Sequence, residues 1–359
     1  MVNHTKQLQE TFLAAHPGGA ALIQDPNNRR YFTGFPSSEG LLVITAEDAF
    51  LLVDFRYVEA AAKQAVHCQV LEFSNMAERL KALLKDLGCC RVFVEDENIS
   101  LSRAKQFQNC CEELGIEAVL DEALDKAVMA LRMIKSPDEV AKLEAAQAIT
   151  DEAFTHILRF IRPGVTEKEI ALELEFYMRR HGADGNAFDP IVAAGKNGSM
   201  CHAVPSDYVV QKGDLVTMDF GALLAGYHAD MTRTVAVGEI SPEQRKVYDT
   251  VLEAHNAARR AAKPGVPCRD IDKLARDIID REYEGRFGHG LGHGVGLEIH
   301  EQPRFSRLDE TLCAPGMVIT DEPGIYLPDQ FGVRIEDMLL ITEDGCRSLT
   351  KSKKELIQL

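Results

Sequence analysis

The sequence predicts an α/β (α+β) chain of two domains, the second carrying a pseudo-twofold internal repeat. Three observations carry this expectation. The chain has 359 residues, more than one hydrophobic core comfortably serves, so two domains are the default. Up to about residue 124, short apolar strands alternate with helical stretches, the pattern of a small α/β domain around a largely buried sheet. Beyond that, "RFIRPGVTEKEIALELEFYMRRHG" from 159 resembles "RAAKPGVPCRDIDKLARDIIDREYEG" from 260.

Taken in order, "GLLVITAEDAFLLVDFRY" reads as a hairpin and "MAERLKALLKDLG" as a helix stopped by glycine. "RVFVED" reads as a strand and "SRAKQFQNCCEELG" as a further helix. "LRMIKSPDEV" then breaks the pattern. Ser136 is a candidate N-cap, Pro137 suits the first helical turn, and Asp138 and Glu139 favour its positive end. The boundary is therefore placed between about 124 and 136, giving domains over 1–125 and 136–359. The Pro-Gly-Val steps of the echo fall at 163 and 264, a shift of 101 residues. Each follows one helix and precedes another, which leads into β-rich sequence. A repeat this long suggests two related halves rather than a solenoid. The halves are expected to share one curved sheet, with a site at their junction.

Composition excludes several classes. Lys and Arg total 40 against 56 Asp and Glu, a formal charge of −16. That balance argues against a nucleic-acid or anionic-membrane surface as the main partner. The N-terminus lacks a basic segment followed by an apolar core, so no signal peptide is read. No apolar run approaches the roughly 18 residues of a membrane span. The nine cysteines include adjacent pairs but no Cys-x-x-Cys, which suits idle thiols in a reducing cytoplasm.

The chemistry-bearing residues sit in the second domain. In "DLVTMDFGALLAGYHADMTRTVAVG", a turn about Leu224–Ala225 would set Asp219 directly opposite Asp230, their Cβ atoms about 4.5–5.5 Å apart. Glu322 and Glu336, in "GMVITDEPGIYLPDQFGVRIEDMLLIT", are symmetric about 329 and repeat the device in the second half. Facing carboxylates repel, so a positive charge is expected between them. Between the hairpins lies "FGHGLGHGVGLEIHE", with three histidines and five glycines in fifteen residues. His289 and His293 are four apart, but so much glycine argues against a helix. His293, flanked by glycine on both sides, lets backbone and a metal approach closely. Four carboxylates and one imidazole suit Mn²⁺, Co²⁺, Zn²⁺ or Fe²⁺. Two such ions about 3.5–4 Å apart can share a water and lower its pKa. Arg334, two residues before Glu336, would face the same way and orient a ligand carboxylate or grip a substrate one. Tyr227 is a candidate for a similar supporting part.

Asp219, Asp230, His293, Glu322 and Glu336 resemble, in order and spacing, the five metal ligands of the pita-bread metallopeptidases. That family includes methionine aminopeptidase, aminopeptidase P, prolidase and the metal-free creatinase. The N-terminal part, "NNRRYFTGFPSSEGLLV" with "DFRY", resembles the creatinase-type domain of its Xaa-Pro branch, a domain that a plain methionine aminopeptidase usually lacks. The resemblance implies a pita-bread catalytic domain in which Asp230 and Glu336 bridge two metals, Asp219 chelates one, and His293 with Glu322 completes the other. It implies a bridging hydroxide as nucleophile, with Glu322 passing on the proton. His300 would stabilise the substrate or the tetrahedral intermediate, His202 would stand on the opposite wall, and His289 matches a further histidine of the Xaa-Pro branch. Cys201 departs from the proline that many relatives carry before the histidine at 202. The expected protein is a cytoplasmic homodimer with two divalent ions, Mn²⁺ or Co²⁺ ahead of Zn²⁺ or Fe²⁺, cleaving the Xaa-Pro bond of peptides or dipeptides. Methionine aminopeptidase-type activity is one alternative. The other is a non-catalytic peptide-binding module, but such modules usually lose ligands and this chain retains all five.

Overall fold

The computed structural model describes residues 2–359, in two compact units, one reaching to Arg132 and one spanning Met133–Leu359.

In the first unit, strands β1 (Gly19–Ile23), β2 (Leu41–Thr45), β3 (Ala49–Val53), β4 (Gln69–Glu72), β5 (Arg91–Val94) and β6 (Glu117–Val119) form one sheet in the order β4-β3-β2-β1-β5-β6. The predicted hairpin is β2–β3, antiparallel from Leu41↔Leu52 to Ile44↔Ala49. Helices α1 (His4–Thr11), α2 (Pro26–Thr33), α3 (Val58–Gln64), α4 (Met76–Asp86), α5 (Leu101–Leu114) and α6 (Ala123–Met133) complete this part of the chain. α4 and α5 are the two helices read from sequence. Asn75 caps the first through Glu78 N, Ser100 caps the second through Arg103 N, and Gly115 ends α5 in the left-handed region. Their apolar faces, Leu80, Leu84, Phe107 and Cys111, pack on Leu22, Val43 and Val92 of the central strands. The stretch read as a break, residues 131–140, holds the end of α6, a three-residue link and the start of the next helix at Pro137.

The second unit is built twice over. Its first half runs α7 (Pro137–Ile157), α8 (Glu167–Arg180), β7 (Gly185–Asn186), β8 (Ile191–Ala194), β9 (Leu215–Phe220), β10 (Ala222–Leu224), β11 (Tyr227–His228) and β12 (Met231–Ala236). The second runs α9 (Pro242–Ala261), α10 (Cys268–Tyr283), β13 (Gly292–Gly294), β14 (Glu301–Phe305), β15 (Val318–Asp321), β16 (Gly324–Leu327), β17 (Phe331–Arg334), β18 (Asp337–Ile341) and β19 (Cys346–Ser348). In both halves a helix pair leads into three antiparallel strands, β8-β9-β12 and β13-β15-β18, with a small hairpin, β10–β11 or β16–β17, set between the last two. Ser136 caps α7 as predicted, in a capping box with Glu139, and Ser241 with Gln244 repeats the device on α9. Each half has its own apolar core, one around Phe154, Leu174, Met218 and Phe220, the other around Tyr248, Ile271, Phe305 and Val333.

Two expectations need correction. The halves do not share one hydrogen-bonded sheet: β12-β9-β8 and β14-β13-β15-β18-β19 are separate ladders. They meet where Glu336 N donates to Thr232 O, 3.1 Å, while the chain's last residues take the rest of the β12 edge through Ala236 N to Ile357 O and Leu359 N to Ala236 O. The first carboxylate hairpin is also displaced by two residues. Its turn is Ala225–Gly226, both at positive φ, with Leu224 opposite Tyr227. Asp219 therefore faces Thr232 rather than Asp230. The second hairpin has the expected register: Asp321↔Asp337 and Gly324↔Arg334 are both symmetric about 329, and Glu322 and Glu336 lie in the gap between those ladders.

Candidate active site

Three of the four acids come from positions just outside the paired strands, and the fourth, Asp219, from within β9. Asp219 comes from β9, Asp230 from the link between β11 and β12, Glu322 from the residue after β15, and Glu336 from the residue before β18. His293 comes from the middle of β13. Its flanking glycines serve strand packing first. A Cβ on Gly292 would sit 1.9 Å from Thr320 O, and one on Gly294 2.3 Å from Gln302 O, so no side chain fits between β13 and its two neighbours.

One nitrogen and two carboxylates converge: ligand atoms of Asp230, His293 and Glu336 all lie within 4.8 Å of one another. His293 Nε2 is 3.5 Å from Asp230 Oδ2 and 3.4 Å from Glu322 Oε1. Its Nδ1 is 3.0 Å from Gly294 O, which places the proton there and aims the Nε2 lone pair at the acids. Burial, then His300, pushes the His293 pKa down to about 3, so the imidazole is neutral, as a ligand must be. The acids are pushed the other way. Burial raises Glu322 to about 8 and lifts Asp230 and Glu336 well above the carboxylate range, each reinforced by neighbouring acids.

Arg334 is the one guanidinium woven among them. It donates through Nη2 to Asp219 Oδ2 at 2.7 Å, through Nε to Thr232 Oγ1 at 3.0 Å, and through Nη1 to Cys201 O at 3.2 Å. Burial would favour its neutral form, but Tyr326, Asp219 and Glu322 hold its pKa above the ordinary value. Thr232 Oγ1 in turn donates a hydrogen bond to Glu336 Oε2, 2.6 Å. Four carboxylates and one guanidinium leave a formal excess of three negative charges in a buried space, and Asp219 Oδ1 is buried without a hydrogen-bond partner. An orphaned carboxylate oxygen, acids forced towards neutrality and a lone pair aimed at them are what two divalent cations would relieve. The donor set fits that cofactor.

A cavity of about 630 Å³ opens onto this cluster, lined by all five of these residues with His202, His289, His300 and Arg334. His300 lies edge-on to His293, ring centroids 4.4 Å apart. His202 is exposed in the loop after β8. His289 lines the wall with both nitrogens occupied: Nε2 is 2.9 Å from Tyr326 Oη and Nδ1 2.8 Å from Gly290 O. Neither ring nitrogen is therefore left free towards the cavity. Tyr227 lies elsewhere, buried, with its hydroxyl donating to Glu139 of α7 at 3.2 Å, and it does not line the cavity. The supporting tyrosine is Tyr326, whose hydroxyl accepts from Arg334 Nη1 at 2.9 Å.

The sequence reading also missed Arg304. It stands opposite His293 on β14 and lines the cavity. Among the described residues its guanidinium has no acid partner, a feature that became visible only once β13 and β14 were paired.

The sequence pattern of metallopeptidase family M24 matches residues 141–343, and that of the creatinase/prolidase N-terminal domain matches residues 6–134. An Xaa-Pro dipeptidase of Pyrococcus horikoshii is 41% identical over 344 residues, covering 94% of each chain. The structure of an Xaa-Pro dipeptidase from Bacillus anthracis superposes with a TM-score of 0.93 at 39% identity, over 99% of both chains. An X-Pro aminopeptidase from Thermotoga maritima gives 0.88 at 37%, over 95% of this chain and 97% of that one. By the match over residues 141–343 and by relatives of about 40% identity along nearly its whole length, this chain belongs to the M24 metallopeptidases.

Proposed function

We propose that the protein is a two-metal exopeptidase that hydrolyses the bond between a first residue and proline. The observation that carries this is the largely buried set of Asp219, Asp230, His293, Glu322 and Glu336, with its excess of negative charge, at the floor of one cavity. Bound there, two divalent cations would supply Lewis-acid polarisation of the scissile carbonyl and a water acidic enough to ionise near neutral pH. Asp230, Glu336, Asp219, His293 and Glu322 would hold them.

The remaining work falls to the chain's own groups. Glu322, beside His293 Nε2 and oriented by Thr320 Oγ1 at 3.3 Å, takes the proton of the attacking water and returns it to the proline nitrogen as that nitrogen leaves. His300 and His202 offer ring N–H donors to the carbonyl oxygen as negative charge develops there. Arg334, held by Tyr326 and His289, fixes Asp219 in one orientation.

Arg304 favours the dipeptidase form of the activity. A guanidinium on the cavity wall without an acid partner suits the free carboxylate of an Xaa-Pro dipeptide, which a longer peptide does not present at that place. We assign Mn²⁺ or Co²⁺ as the working ions from the oxygen-rich donor set, and a cytoplasmic homodimer from the family resemblance. Among the described residues no helix is long and apolar enough to cross a membrane, and all nine cysteines are free. The test is hydrolysis of an Xaa-Pro dipeptide and an Xaa-Pro-Yaa tripeptide, side by side, by protein stripped of metal and reloaded with Mn²⁺ or Co²⁺. Cleavage of the dipeptide alone establishes a dipeptidase, and cleavage of the tripeptide an aminopeptidase. Failure on both, with metal bound, removes the Xaa-Pro assignment and favours the peptide-binding module.

A further inference from the structure

Behind the acids, on the side away from the cavity, lies a second polar cluster that the mechanism does not use. Asp321 and Asp337 are cross-strand partners on β15 and β18, and each is joined in the chain to an acid of the site, Asp321 to Glu322 and Asp337 to Glu336. Both are fully buried, as is His255 of α9. The His255 ring lies between them, Nδ1 3.2 Å from Asp321 Oδ2 and 3.1 Å from Asp321 O, and Nε2 3.5 Å from Asp337 Oδ2.

The two aspartates are not equally provided for. Asp337 accepts from Arg233 Nη2 at 2.8 Å, Lys354 Nζ at 2.6 Å and Ser348 Oγ at 3.0 Å. Neither carboxylate oxygen of Asp321 has a hydrogen-bond partner among the described residues. The basic side chain closest to it among those residues is the His255 ring, Nδ1 3.2 Å from Oδ2. Without that ring, two buried carboxylates would face each other at the base of the strands that carry Glu322 and Glu336, and the repulsion would act to spread them. The same group reaches the main chain on both strands: His255 Nδ1 approaches Asp321 O, and Arg233 Nη1 donates to Glu336 O.

We infer that His255 and Asp321 form a coupled pair whose purpose is to set the spacing of Glu322 and Glu336. His255 is thus a positioning residue for the metal centre, acting through the Asp321 main chain on one ligand-bearing strand and the Asp337 side chain on the other. The inference rests on the reading that Glu322 and Glu336 hold metal.

The coupling separates this role from simple packing. Removing one member strands a charge or a ring, whereas removing both leaves Asp337 with its own Arg233 and Lys354. The experiment is a double-mutant cycle on the full-length protein with His255→Gln, Asp321→Val and the pair together, read by calorimetric titration of the metal-free proteins with Mn²⁺ and by thermal unfolding. Each single change is expected to weaken Mn²⁺ binding about tenfold or more, the range seen when groups supporting metal ligands are removed. The double change is expected to recover most of that loss. Singles that unfold more easily but bind Mn²⁺ within about twofold of the parent would overturn the inference, and so would strictly additive losses in the pair. If a single change prevents folding, the double still decides: folded and binding Mn²⁺ near the parent's affinity upholds the coupling, and folded but binding at least tenfold more weakly overturns it. A parent protein that binds no Mn²⁺ would instead sink the metal-centre reading itself.

Discussion

Replacing Arg304 by methionine tests the substrate reading at a residue that touches neither the acids nor their supporting hydrogen bonds. The methionine keeps most of the apolar stem and removes only the charged fork. Arg304 is half-buried, faces the cavity from β14 directly opposite His293, and has no acid partner to leave stranded. The folded protein should therefore tolerate the change. What is lost is a charge-assisted pair with the substrate carboxylate, worth about 1.5–3 kcal/mol. At about 1.4 kcal/mol per decade, kcat/KM for an Xaa-Pro dipeptide should fall roughly 10- to 150-fold. The matched control is the same dipeptide with its C-terminal carboxylate converted to an amide. It offers Arg304 no anion, so the variant and the parent should treat it alike within about threefold. Steady-state kinetics on the two substrates, with Mn²⁺ saturating, give the ratio directly. Because the carboxylate is remote from the bond being broken, most of the loss should appear in KM. An equal loss on acid and amide would refute the argument, since Arg304 would then be acting on the metal centre or the fold and not on the substrate's terminus.

Other consequences can be read at the same bench. Glu322→Gln, loaded with metal to the parent's stoichiometry, should lose about 10²- to 10⁴-fold in kcat, and full turnover would remove its proton-transfer role. Gly292→Ala must force β13 away from Thr320 O, which its Cβ would otherwise meet at 1.9 Å; a cost of about 1–3 kcal/mol in urea unfolding is expected, and an unchanged midpoint would show that the contact relaxes freely. Burial, then Arg334, pushes the His289 pKa from 6.5 down to about 4, so in this window the unfolded chain takes up a proton that the folded protein refuses. Measured against His289→Gln, the metal-free parent should lose stability as pH falls from 6.5 towards 4, the two slopes differing by up to one proton. Tyr227→Phe should cost about 1 kcal/mol from its bond to Glu139 and leave kcat/KM within about twofold; a larger catalytic loss would return Tyr227 to the site.

What could be read from sequence was set by local rules. Ser136, Pro137 and Glu139 make a helix start that needs no tertiary partner, and α7 begins there with its capping box complete. The second carboxylate hairpin has the expected register because "LPDQFG" confines the turn, with Asp329 at positive φ at its centre. The first hairpin shows the limit of the same method. "GALLAGYH" admits turns one residue apart, and a one-residue shift of the turn moves every pairing by two. Gly226 was the deciding signal, since a two-residue turn with both φ values positive favours glycine at its second place. The error mattered chemically. It set Asp230 across from Asp219, where the chain places Thr232, the hydroxyl that joins Arg334 to Glu336.

The groups that no window of sequence announces are those whose partners come from distant strands. Tyr227 drew attention by standing three residues before a ligand, yet β11 turns its ring towards α7. Tyr326 stands four residues after Glu322 and reaches Arg334 and His289 only because β16 and β17 pair and Gly324 has no side chain; a Cβ there would lie 2.5 Å from the Tyr326 hydroxyl. Arg304 and His255 are of the same kind, the first gaining its meaning from His293 across a strand pairing and the second from Asp321, 66 positions away. The ligands themselves are legible because carboxylates on apolar strands are costly and so conspicuous. The residues that aim them are ordinary in type. Their placement follows from how the two halves close on each other, and that closure is written in packing rather than in any local pattern.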